Sequence, residues 1–215
     1  MARRTVEQLA AFDDKAKAGG FRFIFGVDEA GRGPLAGPVV AAAVWVRDPA
    51  FTVPVGDSKK LSERQREKAF HEIHDRACVG VGIMSEAVID QVNILKAAHL
   101  AMAAAVGDLV THLPQDIKGL PDFATAAGLL IDGNMFTAKV PFRVGLVVEG
   151  DGKSLSIACA SIIAKVTRDR IIEQYDRIYP QYGFAKHKGY PTAAHRAAIA
   201  CHGLSPIHRR SFRSS

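Results

Sequence analysis

Apolar residues recur along this chain in two rhythms, short runs of strand length and longer stretches at helical spacing. Phe21 to Val27 is aromatic and β-branched, and Val39 to Val46 is a second apolar run. The Gly/Pro-rich segment Gly31 to Pro38 between them predicts two strands joined by a shaped loop. Ser62 with Gln65 forms a capping box for a charged helix running to about Arg76, and a third strand is predicted over Val79 to Met84. Asn93 caps a second helix of Ile94, Leu95, Ala98, Leu100, Met102 and Val106, spaced to pack on a sheet, with Gly107 near its end. Gly128 to Asp132 and Phe142 to Val148 are nearly continuous apolar runs of the kind that buried parallel strands show. From Ser154 to Tyr179 runs a long helical pattern whose first eleven residues carry no charge, which predicts burial against the sheet. Residues 4 to 17 predict a short amphipathic helix stopped by Gly19-Gly20. Strands first, then alternating helices and strands, describe an α/β protein with a mixed sheet: one domain over residues 21–215, preceded by an N-terminal extension over 1–20.

Composition sharpens this outline. With 215 residues, 48% hydrophobic and 23% charged, the chain can bury one substantial core, and disorder is excluded for most of it. The longest stretch free of charge, Gly33 to Val46, is too short and too broken by Pro and Gly to span a bilayer, so no membrane partner is expected. Glu7, Asp13 and Asp14 stand where a secretory signal has its apolar run, and a cytoplasmic location is expected. Cys78, Cys159 and Cys201 are odd in number and far apart, which argues for buried thiols over disulfides or a zinc site.

Charge is unevenly placed. The net charge is +6, yet Asp151 to Ser215 alone holds 11 Lys and Arg against 4 acids. From Arg177 onward there are seven Lys or Arg, four His and no carboxylate. Such a segment points to a polyanion, either nucleic acid or an acidic membrane surface.

Asp28-Glu29 follows one apolar run directly, and Asp132 and Asp151 end or closely follow two others. Read singly, each is an exposed turn acid. Together they suggest a site, because strand ends are where α/β sheets gather ligand-binding side chains. Converging carboxylates repel one another unless cations join them, and hard ions such as Mg²⁺ or Mn²⁺ suit carboxylate oxygen. Two such ions can drive in-line attack on phosphorus, the chemistry that a polyphosphate partner invites. Gly150-Asp151-Gly152-Lys153-Ser154 imitates a P-loop but has Val147 where that motif needs glycine, and Pro38-Val39-Val40 denies Gly31-Arg32-Gly33 the helix of a dinucleotide loop.

Five ordered motifs, Gly26-Val-Asp-Glu-Ala-Gly-Arg-Gly-Pro34, Asp57-Ser-Lys-Lys-Leu61, Ile131-Asp-Gly-Asn134, Gly150-Asp151 with Ala160-Ser-Ile-Ile-Ala-Lys-Val-Thr-Arg-Asp169, and His187-Lys-Gly-Tyr-Pro-Thr192, resemble ribonuclease HII from about Phe25 to Phe212. The resemblance implies a ribonuclease H-like fold, a mixed sheet flanked by helices, with a small helical C-terminal part (about 180–215) that grips nucleic acid. It makes Asp28, Glu29, Asp132 and Asp151 the catalytic, metal-binding carboxylates for two Mg²⁺ or Mn²⁺ ions. The implied enzyme cuts RNA in RNA/DNA hybrids and cuts 5′ to single ribonucleotides in DNA duplex, leaving 3′-hydroxyl and 5′-phosphate ends. Gly31, Arg32 and Gly33 then meet the ribose 2′-hydroxyl, Tyr190 packs on the following deoxyribose, and Lys59, with Lys60, touches phosphate. Asp57 stays outside the catalytic set, and Lys165 and Arg168 are expected to pair helix acids such as Asp169. The chain departs from the family pattern with Glu149 where Lys is frequent and Cys159 where Ala is expected. Lys186, Lys188, Arg209 and Arg210 are expected on the duplex-gripping surface, with His187 and His208 at phosphate. A monomer is expected. The alternatives are a ribonuclease H that needs runs of ribonucleotides, or a silent hybrid-binding module, which would lack one of the four carboxylates.

Overall fold

The computed structural model describes residues 4–212. In chain order its elements are α1 (Val6–Ala18), β1 (Phe23–Ala30), β2 (Val39–Val46), α2 (Glu63–Arg76), β3 (Ala77–Met84), α3 (Glu86–Val92) and α4 (Ile94–His112). There follow the short α5 (Gln115–Lys118) and α6 (Phe123–Ala126), β4 (Ala127–Asp132), β5 (Arg143–Val147), α7 (Leu155–Ile178), α8 (Phe184–His187) and α9 (Ala193–His202). The sheet order is β3-β2-β1-β4-β5. β1, β2 and β3 form an antiparallel meander, while β4 and β5 run parallel to β1.

Strand pleating divides the core. Phe23, Phe25 and Val27 of β1 face one layer with Ala97, Ala101, Ala105 and Leu109 of α4. The opposite face, with Ala42 and Val44, packs under Leu155, Cys159, Ile162 and Ile163 of α7, and α2 adds Ala69 and Ile73. Close approach is essential here: a β-carbon on Gly26 would lie 2.1 Å from the Ser156 carbonyl carbon of α7. α4 is long and apolar enough to cross a membrane by length and composition alone. Its buried residues nonetheless lie on the sheet, as a core helix requires.

The predicted capping box of Ser62 with Gln65 forms on α2, and a second, Thr5 with Gln8, starts α1. α1 is tied into the body. Leu9 is buried, and Asp13 accepts from Ser154 Oγ (2.5 Å) and the Ser156 N–H (2.9 Å) at the start of α7. A carboxylate there meets the unpaired amides and positive end of the helix.

Three expectations are corrected. β5 is an edge strand, with Val144 and Leu146 exposed, and among the described residues no strand pairs beyond it. Gly107 lies in open space on the exposed face of α4, so the helix continues past it to His112, and Leu100 also faces outward. Of the cysteines only Cys159 is buried; Cys78 is half-buried and Cys201 exposed on α9.

The C-terminal segment folds back on the Gly31–Pro38 loop. Ala36 bridges His208 in antiparallel fashion, Gly37 N–H donates to Ile207 O (2.9 Å) and Arg209 N–H to Leu35 O (2.8 Å). Arg209, 2% exposed, donates to the carbonyls of Gly31, Arg32, Pro34, Gly37 and Pro38, at 2.6 to 3.2 Å. Arg168 of α7 donates to Ala36, Pro38 and Lys188 carbonyls at 3.0 to 3.1 Å. Neither arginine makes the contact expected of it: Arg209 is no surface cation, and Arg168 pairs with carbonyls rather than with Asp169. Burial, with the positive Arg168 nearby, pulls Arg209 down to about 9.

Arg209→Met leaves buried carbonyls unpaired and is expected to cost about 3 kcal/mol or more in urea denaturation, whereas exposed Arg210→Ala should cost under about 0.5 kcal/mol. His208 is pushed down to about 4 by burial, helped by the neighbouring His195. Since an unfolded histidine titrates near pH 6.5, the stability carried by neutral His208 is complete above about pH 6.5 and is lost as pH falls toward 4. Thermal melts of wild type and His208→Gln should therefore differ most at neutral pH and converge on acidification; a constant difference would contradict this.

Candidate active site

β1 carries its two acids to the end of the sheet still in extended conformation, so successive side chains leave on opposite faces. Asp28 lies on the α7 side, 5% exposed, and accepts the Glu29 N–H at 2.7 Å. Glu29 lies toward α4, in a cavity with Leu95, Ala98 and His99, and pairs with Arg32 Nη1 at 3.3 Å. β4 runs parallel to β1 with Val27 beside Ile131, which sets Asp132, one residue further on, next to Asp28. Asp132 Oδ1 accepts the Gly150 N–H at 2.6 Å and so ties the turn that carries Asp151 to the end of β4. Glu149, in left-handed conformation at φ 55°, begins that turn.

Mutual repulsion is visible in the acidities. Burial, then the charges of Glu29 and Asp132, drives Asp28 well above the usual carboxylate range. Glu29 is raised by burial, opposed by Arg32, and Asp151 is raised by burial and by Asp57 and Asp132. Among the described residues no three His, Cys, Asp or Glu side chains stand gathered for one ion. Asp132 gives an oxygen to Gly150 and Glu29 one to Arg32, so the acids face the same space without converging. The all-oxygen donor set still fits a hard divalent cation, whose charge would relieve the raised acidities.

A cavity of about 370 Å³ brings together Asp28, Glu29 and Asp132 with Gly31, Arg32, Gly33, Lys59 and Tyr190. Asp151 lines an adjoining cavity of about 480 Å³ with Lys59, Lys60, Lys153 and Glu149. Every candidate site residue thus borders one of two neighbouring hollows, and Lys59 borders both. Gly31 has φ 101°, and a β-carbon on it would lie 2.2 Å from Arg168 Nε, so only glycine fits. Tyr190, 43% exposed, lies over Gly33, where an added β-carbon would come within 3.4 Å of its ring.

Asp57 accepts from the Lys59 N–H (3.0 Å) and pairs with Lys60 (3.1 Å), which fits a positioning part. Burial opposes these bonds, yet they hold its carboxyl below the usual range. Lys165 pairs with Asp169 at 2.7 Å, a structural ion pair on α7. Several expected phosphate contacts are corrected. His208 is buried, with Nδ1 and Nε2 both hydrogen-bonded inside the fold, and His187 spends its two ring nitrogens on Tyr182 O and Gly189 N–H. Lys188 pairs with Glu173 at 2.6 Å, while Lys186, Arg196 and Arg210 stay exposed. Ser161, which borders the same cavity as Asp28 and stands 2.9 Å from Ser58 Oγ, went unread because a serine in a row of small helix residues resembles packing.

Residues 25–215 match the family profile described as ribonuclease HII. A ribonuclease HII of Magnetococcus marinus is 54% identical over 188 residues, 87% of this chain and 83% of that protein. One of Acetivibrio thermocellus is 48% identical over 206 residues, 95% of this chain and 75% of that protein. Ribonuclease HII in the solved PCNA complex from Archaeoglobus fulgidus superposes with a TM-score of 0.66 at 25% identity, covering 89% of this chain and 95% of that one. With a mixed five-stranded sheet and four acids bordering two neighbouring hollows at its end, this chain belongs to the ribonuclease HII family of endoribonucleases and has a ribonuclease H-like fold.

Proposed function

We propose that this protein hydrolyses the RNA strand of RNA/DNA hybrids and cuts 5′ to single ribonucleotides embedded in DNA duplex, leaving 3′-hydroxyl and 5′-phosphate ends. The observation that carries this reading is the shared cavity in which Asp28, Glu29 and Asp132 adjoin the Gly31–Gly33 loop and Tyr190. In this reading Asp28, Glu29, Asp132 and Asp151 hold two Mg²⁺ or Mn²⁺ ions. When bound, such ions activate water and stabilise the departing oxygen.

The protein's own groups supply recognition. Gly31 and Arg32 turn their carbonyls inward onto Arg209, and among the described residues no protein acceptor takes the Arg32 or Gly33 N–H. Those amides are donors for a 2′-hydroxyl, the group that separates RNA from DNA. Tyr190 closes the cavity over Gly33, where a flat ring accepts a deoxyribose and crowds a second 2′-hydroxyl. Lys59, exposed between the two cavities, suits a phosphate. The exposed Lys186, Arg196 and Arg210 add affinity without reading sequence. The protein is taken as a cytoplasmic monomer.

Asp28→Asn and Asp151→Asn should each lower cleavage by roughly 10²-fold or more while leaving duplex binding intact. Because burial and repulsion raise Asp28, charge removal should also stabilise: each kcal/mol relieved lifts the Tm of metal-free Asp28→Asn by about 2–4 °C. Full activity in either variant contradicts the catalytic assignment, and a lowered Tm contradicts the repulsion. A DNA duplex with one ribonucleotide should be cut on its 5′ side with Mg²⁺ or Mn²⁺. Cleavage of continuous RNA alone would favour the runner-up, an enzyme requiring runs of ribonucleotides.

A further inference from the structure

Tyr190 stands in the turn between α8 and α9, carried by neither helix, so something else must hold it. Its carbonyl accepts the Thr192 N–H at 2.8 Å and His195 Nδ1 at 2.9 Å. His195 is fully buried, and its Nε2 lies 3.0 Å from Nε2 of buried His208. His208 Nδ1 in turn accepts the Ser205 N–H at 2.9 Å, with Ser205 Oγ at 2.7 Å.

These partners leave one arrangement of protons. A carbonyl only accepts, so His195 carries its proton on Nδ1 and presents a bare Nε2. His208 accepts at Nδ1 and so donates from Nε2. The bonds run one way, from Ser205 through His208 and His195 to the Tyr190 carbonyl, and aligned bonds of this kind polarise one another. The surroundings keep both rings neutral. His187 stacks on His195 with centroids 4.3 Å apart, Tyr182 and Phe184 border His208, and Arg209 follows it in sequence. Among the described residues neither ring bonds a carboxylate.

We propose that His195, backed by His208, is a positioning residue for Tyr190, and that this relay sets how sharply the enzyme separates a ribonucleotide–deoxyribonucleotide junction from continuous RNA. The proposal rests on the reading of Tyr190 as the ring beneath the deoxyribose. Tyr190 is joined to the backbone that His195 holds, whereas the carboxylates stand on β1, β4 and the turn before α7. Loosening the relay should therefore weaken junction binding and leave the chemical step alone.

The test compares kcat and KM of wild type, His195→Gln and His195→Asn on two duplexes, one with a single ribonucleotide in DNA and one with a continuous RNA strand. Asparagine puts an amide donor where Nδ1 was; glutamine puts it where Nε2 was. His195→Gln should lose about tenfold in the junction-to-RNA ratio of kcat/KM, through KM, the scale of one hydrogen bond, while His195→Asn should stay within about twofold of wild type. Equal losses on both duplexes, an unchanged ratio in His195→Gln, or no rescue by asparagine would overturn the proposal. If His195→Gln does not fold, the order reverses at the second ring: His208→Gln keeps a donor toward His195 and should preserve the ratio, and His208→Asn should lose it. The opposite order overturns the relay. Wild type that leaves the single-ribonucleotide duplex uncut refutes the reading of Tyr190, and the proposal with it.

Discussion

Two buried guanidinium groups hold the loop between β1 and β2 in shape. The segment from Gly31 to Pro38 joins β1 to β2 and has little regular hydrogen bonding of its own, yet its carbonyls point into the protein. Arg209 takes five of these carbonyls and Arg168 two. Burying a cation costs several kcal/mol, and here aimed carbonyl dipoles rather than a bonded carboxylate offset that cost. The planar fork of arginine, with five donors, suits this task as lysine cannot. With the carbonyls drawn inward, the Arg32 and Gly33 amides have no protein acceptor among the described residues, and they stand as donors beside Asp28 and Glu29.

The carboxylates live under the opposite constraint. Pleating sends Asp28 toward α7 and Glu29 toward α4, parallel pairing brings Asp132 alongside, and the bond from Gly150 to Asp132 anchors Asp151. Each step follows from ordinary strand geometry, and the sum is a patch of like charge that the core packing holds in place. Gly26 lets α7 lie against β1, and from there Ser161 enters the cavity that holds Asp28. The site is thus costly to the fold in a way that a bound cation relieves.

Much of this was legible in the chain. The period of apolar residues located five strands, α2 and α7 to within about three residues, though α4 runs on past Gly107 to His112, and the acids stood out because each closed or followed an apolar run. What stayed hidden depends on contacts between distant segments. Arg209 and Lys188 count as basic residues in any tally of charge, but folding buries the first among carbonyls and pairs the second with Glu173. β5 looked like a buried strand since its composition does not reveal that it lies at the edge of the sheet. Asp13 counted only as an acid that breaks a secretory signal, whereas it caps α7 from across the sequence. The basic C-terminal third therefore serves two ends, shaping the loop from within and presenting cations to a polyanion from without.

The most direct test of this division is the salt dependence of duplex binding by Arg209→Met, together with its preference for a ribonucleotide over DNA alone. If Arg209 acts from within, the slope of log affinity against log salt stays at the wild-type value while the preference collapses. A slope shallower by about 0.9, the loss of one phosphate contact, with the preference intact would show Arg209 to be a surface cation and contradict this account.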